Sequence, residues 1–216
     1  MPLDSYAALQ TAVLNWLARP ADPLVSGSIP DMIKLFETEA NRRLRVIGAE
    51  AMDDVYGGAG PLDLPADFQE LRKAWIDGGP PLEYIAPGNA GVWGYTGLPR
   101  YYTIVGGGSG GCGSGEGAQL MLAPSPAQST CLVHLLYQRG VPALSDTNTT
   151  NWLLAAAPDA YLFGTLGEAE LFIGHDERAV LWGQRRELAF AGLEAADRKA
   201  RWGGAPLTIR ADMWTP

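Results

Sequence analysis

The sequence is short of the residues that usually carry chemistry. Its 216 residues include two histidines and two cysteines. Two cysteines are too few for a disulfide framework. Cys112 falls in a glycine-rich stretch and Cys131 opens an apolar run, so free thiols are expected ahead of the alternative, a single bridge between them. His134 lies inside a strand-like run and reads as a packed or edge histidine. His175 sits among Glu168, Glu170, Asp176 and Glu177, but neither HExxH nor ExxH spacing occurs, so these charges read as the caps of a helix–helix turn. There is no GxSxG elbow, and Asp53 and Asp54 occupy successive strand positions that face opposite ways and cannot converge as paired acids. A run of about 18 apolar residues, long enough to span a bilayer, is also missing. The start MPLDSYAALQ lacks the basic segment of a secretory signal. The expectation is a protein without catalytic residues, cofactor, metal or membrane partner, made in the cytoplasm.

Positive charge is scarce too. Sixteen Lys and Arg stand against 24 Asp and Glu, a net charge of −8 and a pI near 4.7. That balance argues against a surface that wraps nucleic acid by releasing counterions, yet it suits contact with DNA that must slide past without sticking. With 47% apolar residues the chain reads as globular.

The twelve residues GGGSGGCGSGEG, from Gly106 to Gly117, first suggest a phosphate loop. A Walker loop needs a lysine for the outer phosphates and a helix behind it, and a Rossmann loop must also open a helix. Here there is no lysine, and the β-like run Gln119 to Leu122 follows. The stretch reads as a long hairpin tip.

Hydrophobic spacing divides the chain into helical, β and helical parts. At 1–48, Asp4 or Ser5 caps a first helix with Tyr6, Leu9, Val13 and Trp16 on its apolar face, ended by Pro20. A linker, ADPLVSGSIP, leads to a second helix capped by Ser28, with Asp31 three residues on and Pro30 in its first turn, burying Ile33, Phe36, Ala40 and Leu44. At 49–140, short β segments (Ala51–Tyr56, Leu71–Ile76, Leu82–Ile85, Tyr101–Val105, Gln119–Leu122, Cys131–Gln138) read as an antiparallel meander, with Asp77-Gly78-Gly79 as a hairpin turn. At 141–202, Asn151 caps a short helix, Trp152–Ala156. Pro158 starts a helix with Leu162, Leu166, Ala169 and Ile173 on one face, ended by Gly174, and Asp176 caps a last helix reaching Trp202. In the last helix Ala189, Leu193, Ala196 and Ala200 form a small-residue packing stripe. Gln184, Glu187, Glu194, Arg198 and Arg201 lie opposite, with Glu194 and Arg198 at pairing distance. The expected fold class is α+β: a four-helix bundle of two N-terminal and two C-terminal helices, an inserted antiparallel β domain, and an extended C-terminal arm at 203–216.

Arg42, Arg43 and Arg45 place three cations within four residues at the end of the second helix. Cations suit that end of the helix dipole, and they also offer a contact for an acidic neighbouring subunit or partner. In the arm, Trp214 has no local core and reads as an anchor, with Arg210 beside it as a second contact candidate.

Six strings in order, LPADFQELR, GGPPLEYIAP, PRYYTIVGG, LMLAPSP, LLYQRGVPALSDTNTTNWLL and ERAVLWGQRRELAFAGLEAADRKARWGG, resemble bacteriophage head-to-tail adaptor proteins over nearly the whole chain. The resemblance implies a structural virion protein at the head–tail junction, with no catalytic residues to transfer. It implies a closed ring of copies, usually twelve-fold, docked below the portal protein and above a tail nozzle or tail tube protein, through which DNA passes without specific binding. This sequence departs from that pattern at the glycine stretch, where the family has a short turn. Gly106, Gly111, Cys112 and Gly117 therefore mark a loop expected on the tail side. Two other classes fit the residues less fully: a carbohydrate- or protein-binding β module of a tail fibre, and an enzyme using the glycine stretch for a nucleotide.

Overall fold

A computed structural model describes residues 3–58, 60–88, 95–106, 117–127 and 131–202. Helix α1, Tyr6–Trp16, starts where the Ser5 hydroxyl accepts from the Ala8 N–H, and it buries Tyr6, Leu9 and Val13. Trp16, expected on that buried face, is 47% exposed and meets Phe163 and Trp182 edge-on.

Helix α2, Pro23–Arg43, begins a turn and a half before the expected start. Its cap is Asp22, whose carboxylate accepts from the Leu24 and Val25 N–H groups at 3.0 and 3.3 Å, with Pro23 in the first turn. Most of the expected linker is therefore helix, and Pro30 is inside it. An interior proline costs about 3 kcal/mol. The added turns bury Val25 and Ile29, 2% and 0% exposed, and each is worth about 1.5–3 kcal/mol. The tertiary gain outweighs the local penalty.

The β part begins after a 3-10 turn, Ile47–Ala49. Its strands are β1 (Glu50–Gly57), β2 (Leu62–Asp63), β3 (Phe68–Ile76), β4 (Glu83–Tyr84), β5 (Thr96–Gly97), β6 (Tyr101–Gly106), β7 (Ala118–Ala123), β8 (Ser125–Pro126) and β9 (Cys131–Arg139). They do not form a meander. The last strand, β9, lies between β1 and β3, antiparallel to both. The second sheet has the order β2-β7-β6-β4, with β4 parallel to β6, and β5 pairs parallel with β8. The centre of the first sheet suits β9, whose Val133, Leu135 and Tyr137 are buried. At Asp77-Gly78-Gly79 the chain does turn, with Gly78 at φ +69°. The returning segment makes one bridge, Trp75 to Pro81, before β4 leaves for the other sheet. Leu62, Leu64, Phe68, Leu120, Leu122 and Val133 bring the two sheets to one apolar core.

After β9 come α3 (Trp152–Ala156), α4 (Pro158–Ile173) and α5 (Asp176–Trp202). Asn151 caps α3 through its side-chain oxygen, and Gly174, at φ +87°, ends α4. Asp176 is the first residue of α5 rather than its cap. Among the described residues four helices, α1, α2, α3 and α5, pack against α4, which buries residues on all its sides. Phe36, Tyr161, Leu166 and Phe190 occupy this second core.

Candidate assembly surfaces

The described part of the molecule has two apolar cores, and the buried Glu37, Asn151 and Tyr161 tie elements of different parts together. Glu37, 4% exposed on α2, accepts from the Leu144 N–H and the Tyr161 hydroxyl, each at 2.9 Å. Asn151 donates to the Tyr161 oxygen at 2.6 Å and to the Pro142 carbonyl at 2.7 Å. The strap returning from the β part, 141–151, is thus fastened to α2 and α4 by satisfied buried groups. Burial pushes the Glu37 carboxyl above its ordinary range. It pushes the Tyr161 phenol up as well, assisted by the adjacent Glu37.

The joint between the parts is ionic. Glu50, the first residue of β1, meets Arg72 of β3 at 3.1 Å and Arg201 of α5 at 2.9 Å. Arg201 also pairs with Asp197, which accepts the Ile47 N–H at 2.6 Å. Burial pulls the Asp197 carboxyl up, but the Arg201 and Ile47 bonds outweigh it and hold it below its ordinary range. These contacts change part of the expected faces of α5. Ala189 and Leu193 pack partly on the helical core, whereas Ala196 and Ala200 are exposed. Glu187, Glu194 and Arg201 turn toward α2 and β1. The last turns of α5 run past the helical core, so charged groups rather than apolar ones receive them.

Two of the three arginines at the end of α2 have partners in their own subunit. Arg43 pairs with Glu187 and, at 3.4 Å, with Glu194, while its guanidinium lies 4.9 Å from the Phe190 ring centre. The Arg43 bond holds the Glu187 carboxyl below its ordinary range. Glu194 is thereby engaged by Arg43, not by Arg198 as its spacing suggested. Arg45 pairs with Glu70 at 2.8 Å and donates to the Asn41 and Leu44 carbonyls. Arg42 is exposed, with no ion pair or side-chain hydrogen bond among the described residues.

Of the two histidines, His134 bonds Asp54 at 2.6 Å and stacks on Trp75, a packed strand histidine. His175 and Arg178 hold the buried Glu170 carboxylate at 2.9 and 3.0 Å, closing the corner between α4 and α5. Among the described residues no three His, Cys, Asp or Glu side chains gather in a group that could hold a metal. No described helix is long and apolar enough to cross a membrane. Cys131 is a free thiol, raised in pKa by burial.

The uncovered apolar surface is concentrated on helices. Leu181, Leu188, Ala195 and Trp202 recur every seven residues along α5, and all four are exposed, Leu188 at 74%. Leu24 and Leu35 are exposed on α2, and Leu171, Phe172 and Val180 at the α4–α5 corner. Nothing in the sequence alone separates this stripe from a core-facing one, because α5 carries small and apolar residues on several sides. Of the glycine-stretch positions, Gly106 ends β6 and Gly117, at φ +106°, turns into β7. Gly111, Cys112, Arg210 and Trp214 lie outside the described residues.

Against known proteins, a family model described as SU10 adaptor protein matches residues 4–210. A search of curated proteins gives no match.

Proposed function

Since this chain belongs to the SU10 adaptor protein family, we propose that it is a structural protein of a bacteriophage virion, a head-to-tail adaptor that forms a ring below the portal and joins it to the tail. The observation that carries the assembly reading is the exposed stripe Leu181, Leu188, Ala195 and Trp202 on α5. Four apolar positions at a seven-residue period lie in one line along a helix, and apolar side chains left in water along such a line offer a site to another helix. In a ring that helix belongs to the neighbouring copy, and repetition of one heterologous contact closes the circle. Arg42 supplies a cation at the rim of the contact, while Arg43 and Arg45 brace the subunit from within. The β part, with the glycine stretch from Gly106 to Gly117 between β6 and β7, points to the tail component, and the helices to the portal. A chain of net charge −8 lining an exit channel repels the DNA backbone, so the DNA slides. The role is architectural and uses no catalysis.

The test is reconstitution with the purified portal protein, read by electron microscopy and mass measurement. The wild-type chain should form closed rings on the portal. The double variant Leu181→Glu, Leu188→Glu should keep its helical circular dichroism and lose the rings, and Arg42→Glu should weaken them. Normal rings in the double variant would remove α5 from the interface, and failure of the wild type to bind portal would sink the adaptor reading itself.

A further inference from the structure

Two outward helix faces of this subunit complement each other. On α2, Leu24, Gly27, Asp31 and Leu35 follow at steps of three and four residues and so share one face. Leu24 is 68% and Leu35 58% exposed, Asp31 is exposed between them, and a Cβ added at Gly27 would have nothing within 4 Å. On α5, Leu181, Arg185, Leu188 and Gly192 are spaced in the same way. Leu181 is 47% and Leu188 74% exposed, and Gly192 is as open as Gly27. Arg185 is exposed too, its guanidinium resting 5.6 and 5.7 Å from the Phe163 and Trp182 ring centres, which holds its charge in place on the surface. Phe36 stacks on Phe190 and marks the sides of α2 and α5 that meet within the subunit. Both rows point away from that contact.

We propose that the occupant of the α5 face is the α2 face of a second copy of this chain, with the two helices antiparallel. The rows have the same length, Leu24 to Leu35 and Leu181 to Gly192. With Leu35 set against Leu181 they stay in step: Asp31 meets Arg185, Leu188 enters the space over Gly27, and Leu24 lies over Gly192. Apolar groups meet apolar groups, the carboxylate meets the guanidinium, and each remaining leucine faces a glycine, so the side chains interdigitate. The parallel orientation fails this test, because it sets Asp31 against Leu188 and leaves Arg185 facing Gly27. Beyond Leu35 the antiparallel pairing carries Arg42 to the first turn of α5, where Asp176 and Glu177 are exposed; a long helical side chain covers the turn before its own. Opposite charges at two separated points fix the register and exclude slipped pairings. Since the two faces differ, the contact is heterologous and can repeat around a circle. The inference rests on the ring reading above and adds to it the surface that α5 meets.

Charge exchange in the full-length chain, assembled on purified portal protein and viewed by electron microscopy, tests it. Asp31→Arg and Arg185→Asp should each lose the rings, because like charges then meet at every joint. The chain carrying both substitutions should form rings again. A cysteine pair reads the same contact without reversing a charge: Leu35→Cys with Leu181→Cys, in a chain also carrying Cys112→Ser and Cys131→Ser. On the portal, air oxidation should give a ladder of disulfide-linked copies, and either Leu→Cys substitution alone should give none. Rings that survive a single charge reversal, a double variant that stays unassembled, or a cysteine pair without a ladder would overturn this contact while wild-type rings leave the adaptor reading standing. A wild type that forms no rings on the portal would overturn both.

Discussion

Gly164 offers a test of the helical core in which local and tertiary effects pull in opposite directions. It lies in the middle of α4, where alanine in place of glycine is worth about 0.8–1 kcal/mol of helix stability. A Cβ built there would sit within the Phe36 ring: even the Cγ atom, the farthest of the three nearest ring carbons, would be 2.8 Å away. Phe36 cannot swing aside, since it is 1% exposed and held between Tyr161 and Phe190 at ring separations of 4.8 and 5.9 Å. Overpacking of this kind costs about 1–3 kcal/mol, and a rigid ring locked on both sides belongs at the upper end. Gly164→Ala should therefore lose about 2 kcal/mol net, or about 4–8 °C in Tm at this chain length. Gly192 on α5 is the control, being exposed with nothing within 4 Å of its built Cβ. Gly192→Ala should gain up to about 1 kcal/mol. Urea denaturation followed by circular dichroism measures both, and a Gly164→Ala variant as stable as the wild type would refute the packing argument.

Glu37→Gln should change the pH dependence of stability. Because the folded-state pKa of Glu37 is raised by burial, its contribution is fully present below the unfolded pKa and is lost as pH rises through the folded value. The Gln variant lacks that loss, so its stability relative to wild type should improve as pH rises from about 4.3 through the folded value and level off above it, and a difference that is flat with pH throughout in urea titrations would disprove it. Glu50→Ala removes partners from Arg72 and Arg201 and should lose about 1 kcal/mol. Part of that loss should vanish in about 1 M salt, and a salt-independent loss would mean that packing rather than charge explains it.

Local chemistry made several elements legible. Ser5 and Asn151 cap the helices that follow them, Pro158 opens α4 and Gly174 ends it, because caps, a fixed φ and a left-handed residue act over three or four neighbours. Most β segments were likewise readable from their two-residue period, although that period says nothing about which strand becomes a neighbour. The place of β9 between β1 and β3, and the parallel pairing of β4 with β6, depend on contacts dozens of residues apart. The start of α2 was missed because ADPLVSGSIP reads as a linker and Pro30 as a first-turn residue until the burial of Val25 and Ile29 is counted. On α5 the composition is nearly uniform around the helix, so no periodicity could choose its inward face. That choice came from Phe36, Arg43 and Glu50, residues on other elements that meet Phe190, Glu187 and Arg201 only after the chain has closed. The family resemblance was carried by ordered strings, yet the exposed line from Leu181 to Trp202 emerged only when the rest of α5 was covered.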